Sequence, residues 1–222
     1  MYLIPLLSDA QFETGQKVIG GNISFSTNSS NSTQVYDTRN YHSDGISAVI
    51  NLSIAKFYSP VSLRGAGIFY MYNNSKSFSL EDLSNNRNGY KNLQHSIGIN
   101  LFSQHFIPIS TRLFFTIQTS ITAMYGFGKQ SDITNVSTVK NKGYGISAAL
   151  APGVSYKINK RFLFDAYLSN LLSAGYGHST TTTVYPLAKE TKTRSDNFNI
   201  STSLSNTNLG GIGFGFRWLL KR

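Results

Sequence analysis

From Lys17 onward, apolar and polar residues alternate along the chain with a period of two, in eight blocks separated by turns or polar stretches. Successive side chains of a strand point to opposite faces, so each block predicts a β-strand with one apolar face. The blocks are residues 17–27, 46–57, 61–73, 93–107, 112–126, 143–158, 162–176 and the final stretch, 208–222. In the fifth, Leu113, Phe115, Ile117, Ile121, Ala123 and Tyr125 oppose Thr116, Gln118, Ser120 and Thr122. In the last, Ile212, Phe214, Phe216, Trp218 and Leu220 oppose Gly213, Gly215, Arg217 and Leu219. The third block is ambiguous, with apolar residues at both parities. Pro152 interrupts the sixth and, lacking a ladder donor, predicts a bulge or local irregularity there. Residues 198–206 alternate weakly and read as a hairpin extension above the last strand.

The connections alternate as well. Blocks two and three, four and five, and six and seven are joined by turns of three or four residues, such as Tyr58-Ser59-Pro60. The other four connections are polar and run to roughly 15–30 residues, far beyond ordinary hairpin loops. This rhythm predicts an all-β fold: an eight-stranded antiparallel up-and-down transmembrane β-barrel with short periplasmic turns and long extracellular loops. Both termini then fall on the periplasmic side. A soluble up-and-down barrel would turn its apolar face inward and needs no long loops confined to one end.

Composition agrees. The 222 residues are one domain's worth of chain, only 14% are charged, and Tyr and Phe bring the aromatics to 13%. No uncharged apolar run reaches the roughly 18 residues of a spanning helix. Cysteine is absent, which excludes disulfides and thiolate metal sites. The net charge is +10, but no clustered basic face or helix exists to track a phosphate backbone, so nucleic acid is not a partner. The four long connections hold ten basic and seven acidic residues, the rest of the chain ten and three. By that count the positive excess lies at the short-turn end and in the lumen, which argues against long connections dedicated to anionic partners.

Residues 10–26 (AQFETGQKVIGGNISFS), 150–164 (LAPGVSYKINKRFLF) and 211–218 (GIGFGFRW) resemble the start, middle and closing strand of the small eight-stranded outer-membrane β-barrel proteins of Bacteroidetes, within the OmpX/OmpA-type superfamily. The resemblance implies the outer membrane of a Gram-negative bacterium, with outer-membrane lipid and lipopolysaccharide around the wall. It also implies recognition by the barrel-assembly machinery, through the Gly-x-x-aromatic-x-aromatic pattern of Gly213, Phe216 and Trp218. Such chains finish on an aromatic residue, whereas this one continues through Leu219, Leu220, Lys221 and Arg222. Residues 1–10, with a short apolar core and Ser8-Asp9-Ala10, read as the remnant of a secretory signal, leaving 11–222 as the barrel.

Eight strands enclose an interior just wide enough to be filled by side chains. Inward parity nominates Arg64, Arg112, Lys157, Asp165 and Arg217 as lumen charges. Asp165 and Arg217 lie on neighbouring strands and are expected to pair, because a buried charge needs a partner. Phe57, Phe69, Tyr125, Tyr144, Tyr156 and Trp218 fall near strand ends and are nominated for aromatic girdles at the membrane interfaces.

Chemistry is sparse. His42 has Ser43 and Asp44 beside it and His178 has Ser179, but strand neighbours point to opposite faces. No metal-ligand spacing, nucleophile elbow or phosphate loop occurs, and no cofactor is expected. The favoured reading is a non-enzymatic envelope barrel that serves structurally or presents its outer loops to an unidentified protein or ligand. A lipid A acyl-modifying enzyme and a narrow channel stay open as alternatives.

Overall fold

A computed structural model describes residues 12–34, 37–80, 87–132, 137–168, 171–185, 190–202 and 212–220. The expected signal remnant, residues 1–10, lies outside the described residues, as do residues 203–211.

The structure is all-β. Its strands are β1 (Lys17–Gln34), β2 (Asp37–Ser59), β3 (Ser62–Leu80), β4 (Arg87–Pro108), β5 (Leu113–Asp132), β6 (Thr138–Lys157), β7 (Phe162–Leu168), β8 (Leu172–Val184), β9 (Thr191–Thr202) and β10 (Ile212–Leu219). Eight of them form a ring in the order β1-β2-β3-β4-β5-β6-β7-β10, every neighbour antiparallel, and β10 returns to β1 to close it. The closing seam pairs Val18 with Leu219 and Gly21 with Phe216.

Two features differ from the sequence reading. The long polar connections are mostly strand: β1 and β2 stay paired up to Gln34 and Asp37, β3 and β4 up to Leu80 and Arg87, and β5 and β6 up to Ser131 and Thr138. Their Ser, Thr and Asn residues alternate without an apolar face, so periodicity is silent there although the ladder continues. The seventh block is also not one strand. β7 pairs with the lower half of β6 and with β10, while β8 pairs with the upper half of β6 and with β9. Gly153 faces Tyr167 but Leu150 faces Leu172, so the ladder breaks beside Ala151 and Pro152. On its other edge Pro152 still faces Ile117. A proline has no N–H to give, and it sits where that edge of β6 loses its partner.

Inside and outside are inverted relative to a soluble protein. Ile23 is 78% exposed, Leu101 61% and Phe216 60%, whereas Asp165 is 3% and Ser155 0% exposed. The true apolar core is a plug at the short-turn end. Val18, Phe57, Leu63, Phe106, Phe114, Leu163 and Leu219 point inward there, and residues 12–16 cross the mouth beneath them. Phe12 N donates to Pro60 O at 3.1 Å, and Gly15 N donates to Phe57 O at 2.7 Å. Gly15 has φ +92°, a left-handed turn that an L side chain would strain. The Phe12 ring stacks on Phe57 at 4.3 Å and meets Phe106 and Phe114 at 5.1 Å each.

Truncating such a ring removes its transfer free energy and leaves a cavity that the ladder around it cannot close. Phe12→Ala is expected to lower the unfolding free energy by about 3–5 kcal/mol, read from the urea midpoint of the refolded protein. A change within about 0.5 kcal/mol would mean that residues 12–16 are not part of the folded core.

Candidate functional site in the lumen and on the outer wall

Above the plug the lumen becomes polar. Ser155 on β6 faces Asp165 on β7 in register, and its Oγ donates to Asp165 Oδ1. Arg217 on β10 reaches across from the other side, with Nε 2.8 Å from Asp165 Oδ2. The structure therefore places both residues on the inner face and brings them together at the seam between β7 and β10. Beside them Asn22 Nδ2 donates to Tyr167 Oη, linking β1 to β7 across the same seam. The Tyr167 ring lies against Gly213, where an added Cβ would come within 2.4 Å of it. Gly213 thus has a packing role in the wall, independent of any assembly signal.

The other nominated charges distribute differently. Lys157 faces inward at the short-turn mouth, its Nζ 5.3 Å from the centroid of the Phe12 ring. Arg64 is not in the lumen. It faces Lys56 and Ser103 on the outer wall, and its guanidinium sits 4.1 Å over the ring of Tyr58. The inward places on β3 go to Leu63, Gly65 and Gly67; Gly65 lies under the Phe102 ring, which leaves no room there for an arginine. Arg112 is not in the lumen either. β5 begins one residue later, and Arg112 lies exposed in the turn where Ser110 Oγ accepts from Leu113 N at 3.1 Å.

Of the nominated interface aromatics, Tyr125, Tyr144, Tyr156 and Trp218 are exposed on the outer face, as is Phe216. Phe57 and Phe69 are not. Phe57 is buried in the plug, and Phe69 points into the ring against Gly98, where an added Cβ would lie 2.5 Å from it. Both have odd numbers on strands whose outward residues are even; for Phe57 strand-end position misassigned what parity assigns correctly, whereas the third block left Phe69 open. Their neighbours Tyr58 and Tyr70 take the outward places.

Two aromatic rows result. The lower includes Tyr58, Tyr156 and Trp218, the last stacked on Phe162 at 5.6 Å. The upper includes Tyr70, Tyr125, Tyr144 and Phe127, with His95 stacked on Phe127 at 5.2 Å and His178 on Tyr144 at 5.2 Å. Tyr144 and Tyr156 are twelve residues apart on β6. At a rise of about 3.3 Å per residue and a tilt of about 45°, the two rows lie about 28 Å apart along the ring axis.

The upper lumen holds a cavity of about 620 Å³ lined by Gly126, Gly128, Gly143, Gly145, Asn141 and Asn197, among others. Apolar side chains of the plug fill the opposite end of the ring. The four histidines lie on the outer wall, where His42 Nε2 is 2.8 Å from Asp44 Oδ2, His178 Nδ1 is 2.8 Å from Asp196 Oδ1, and Tyr70 and Ser62 occupy His95 and His105. The neighbouring Ser43 and Ser179 take the opposite parity on their strands. Among the described residues, no group of three His, Asp or Glu side chains is placed to hold a metal ion.

No protein-family model and no curated protein matches the chain. It is similar in structure to the outer membrane protein OprG from Pseudomonas aeruginosa, at 14% identity and a TM-score of 0.45, over 94% of this chain and 98% of that one. A TM-score this low transfers nothing from that protein to this chain.

Removing one member of the Asp165–Arg217 pair strands a buried charge. Asp165→Asn and Arg217→Met are each expected to destabilise by roughly 3–5 kcal/mol, and the double variant by clearly less than their sum. Additive losses in a double-mutant cycle would show that the two are uncoupled. The hairpin carboxylates predict a pH dependence. Hydrogen bonds from Ser29, then His42, hold the Asp44 carboxyl below its usual 3.8, and Tyr176, then His178, do the same for Asp196. A lowered native value stabilises above the unfolded value and is lost as pH falls through the native one. Amide exchange in β9, corrected for intrinsic rates, should therefore be constant from pH 7 to 5 and rise below 3.8. Asp196→Asn should remove that rise.

Proposed function

We propose that the chain is an integral outer-membrane β-barrel protein of a Gram-negative envelope, without enzymatic activity. Its wall faces lipid and lipopolysaccharide, and its termini lie on the periplasmic side. The observation that carries this reading is the apolar outer band bounded by two aromatic rows about 28 Å apart, close to the height of the lipid-facing band of such barrels. A ring this exposed and this apolar is far larger than the few hundred Å² that a soluble surface tolerates. Where β10 returns to β1, from Val18–Leu219 to Gly21–Phe216, closure satisfies the strand edges from within the sheet, which a lipid environment demands.

The long hairpins stand above this band on the extracellular side and present Ser, Thr and Asn to solvent. The protein serves as a structural component of the envelope and displays these hairpins to a protein or ligand. Gly213, Phe216 and Trp218 at its closing strand are the residues through which the barrel-assembly machinery recognises it. The apolar plug at the short-turn end favours a filled lumen over the channel alternative.

The test is membrane residence combined with inactivity. Expressed in a Gram-negative host, the protein is expected in the outer-membrane fraction, resistant to alkaline carbonate and shifting its electrophoretic mobility on heating. Release by carbonate would overturn the proposal. Purified protein is expected to leave the mass of lipid A unchanged and to give no discrete conductance steps in planar bilayers. Altered acyl chains or regular steps would replace it with the corresponding alternative.

A further inference from the structure

The register lines up charges that the sequence count dispersed. Lys76, Lys91, Lys129, Lys140 and Lys142, on the four adjacent strands β3 to β6, take the same parity as the exposed Ile68, Ile97, Ile121 and Ile146 below them. All five face outward and are exposed. Lys76 lies directly opposite Lys91, and Lys129 directly opposite Lys140. Like charges directly opposite destabilise a ladder, so four lysines in two such pairs call for a counter-charge. The described carboxylates supply it only in part. Asp44 faces Lys76 and attracts it while also engaged by Ser29 and His42, Asp196 on β9 is engaged by Tyr176 and His178, and Lys91, Lys129, Lys140 and Lys142 face no carboxylate in register. Arg194 and Lys192, also exposed, continue the positive row along β9.

Depth identifies the occupant. Lys142 faces Phe127 and Lys129 is the next outward position above Phe127, so both are the first charges over the upper aromatic row. One alternation is about 6.6 Å along a strand, or roughly 5 Å along the axis at the same tilt. Lys140 is level with Lys129, and Lys76 and Lys91 lie one further alternation out, so the lysines stand about 5, 9 and 14 Å above the level of Tyr70, Tyr125 and Tyr144. Lys142, Lys129 and Lys140 are thus at about the height of lipid headgroups over the hydrocarbon, whose polar layers add about 5–8 Å per side, and Lys76 and Lys91 continue the column outward. A receptor for a soluble polyanion has no reason to keep its lysines at this depth around the wall. At the short-turn end Lys17, Lys56 and Arg64 form a smaller row, in which Arg64 is taken up by the Tyr58 ring.

We propose that the outer wall of β3–β6 carries a binding site for the phosphates of phosphorylated glycolipids in the leaflet beside it. The lysines hold the phosphates, and the aromatic row below packs against the sugar and first acyl carbons. This inference rests on the membrane-barrel reading.

The test uses the full chain in phosphatidylcholine nanodiscs doped with diphosphoryl lipid A or with the same lipid after dephosphorylation. Native mass spectrometry counts the lipid retained. Retention is expected for the phosphorylated form only, falling about fivefold for each neutralised lysine in the series K142Q, K142Q/K129Q and K142Q/K129Q/K140Q. The variant R112Q/K160Q/R161Q loses the same charge from the turns and is expected to retain lipid like the parent. Millimolar inorganic pyrophosphate is expected not to displace it. Equal retention of the dephosphorylated lipid, equal losses in both triple variants, or displacement by pyrophosphate would each overturn the site. Insertion without phosphate-dependent retention overturns this inference alone, whereas failure to enter any bilayer overturns the barrel reading with it.

Discussion

On the proposed membrane reading, the wall depends on one requirement: a backbone N–H or C=O that faces hydrocarbon must find its partner within the sheet. Ring closure serves it where β10 returns to β1, along the short seam from Val18–Leu219 to Gly21–Phe216. Once the ring is closed, alternation of side chains forces a sorting into two environments. Along the band above the plug, Ile, Leu, Phe and Tyr go outward, and the inside receives what is mostly small or polar. Glycines at the inner face let rings such as Phe69, Phe102 and Tyr167 fill a bore that eight strands leave barely open. The Asp165–Arg217–Ser155 cluster lies against the same seam and joins β6, β7 and β10 from within.

The two ends of the ring are built on opposite principles. At the short-turn end, residues 12–16 and inward Phe and Leu side chains form a dry aromatic plug. At the other end the ladder continues past the apolar band into hairpins that are polar on both faces, because both faces meet water. The lumen thus divides into an apolar plug at one end and a glycine-lined cavity toward the other. The charges follow the same division: inside, Asp165 and Arg217 pair, and outside, basic residues stand in rows beyond the aromatic belts.

Much of this was legible in the sequence, and what was not has physical causes. The apolar strands could be read because lipid and lumen impose opposite demands on alternate residues. The hairpin extensions could not, because a ladder with water on both sides leaves no binary pattern. The Asp165–Arg217 proximity was readable from parity and adjacency. Arg64 and Phe69 sit in the one block where both parities are apolar, and only packing against Phe102 and Gly98 decides their direction. Phe57 was decidable: its block puts Ile46 to Ile54 at even numbers, which sends Phe57 inward. The plug had a cue as well, since Phe57, Leu63, Phe106, Phe114 and Leu163 each sit near a tight turn at inward parity. Phe12, which completes it, carries no periodic signal. The opposed lysines depend on register between strands, which a linear charge count cannot contain.

The central claim is that the outward parity meets hydrocarbon and the inward parity does not. The chain has no cysteine, so single cysteines can be introduced one at a time along β4, from Ile97 to Leu101, and spin-labelled in reconstituted vesicles. Collision with dissolved oxygen, which partitions into lipid, and with a water-soluble nickel complex then reports each site's surroundings. High oxygen and low nickel accessibility is predicted at Ile97, Ile99 and Leu101, with low oxygen accessibility at Gly98 and Asn100. Oxygen accessibility without a period of two, or with the parity reversed, would contradict the account.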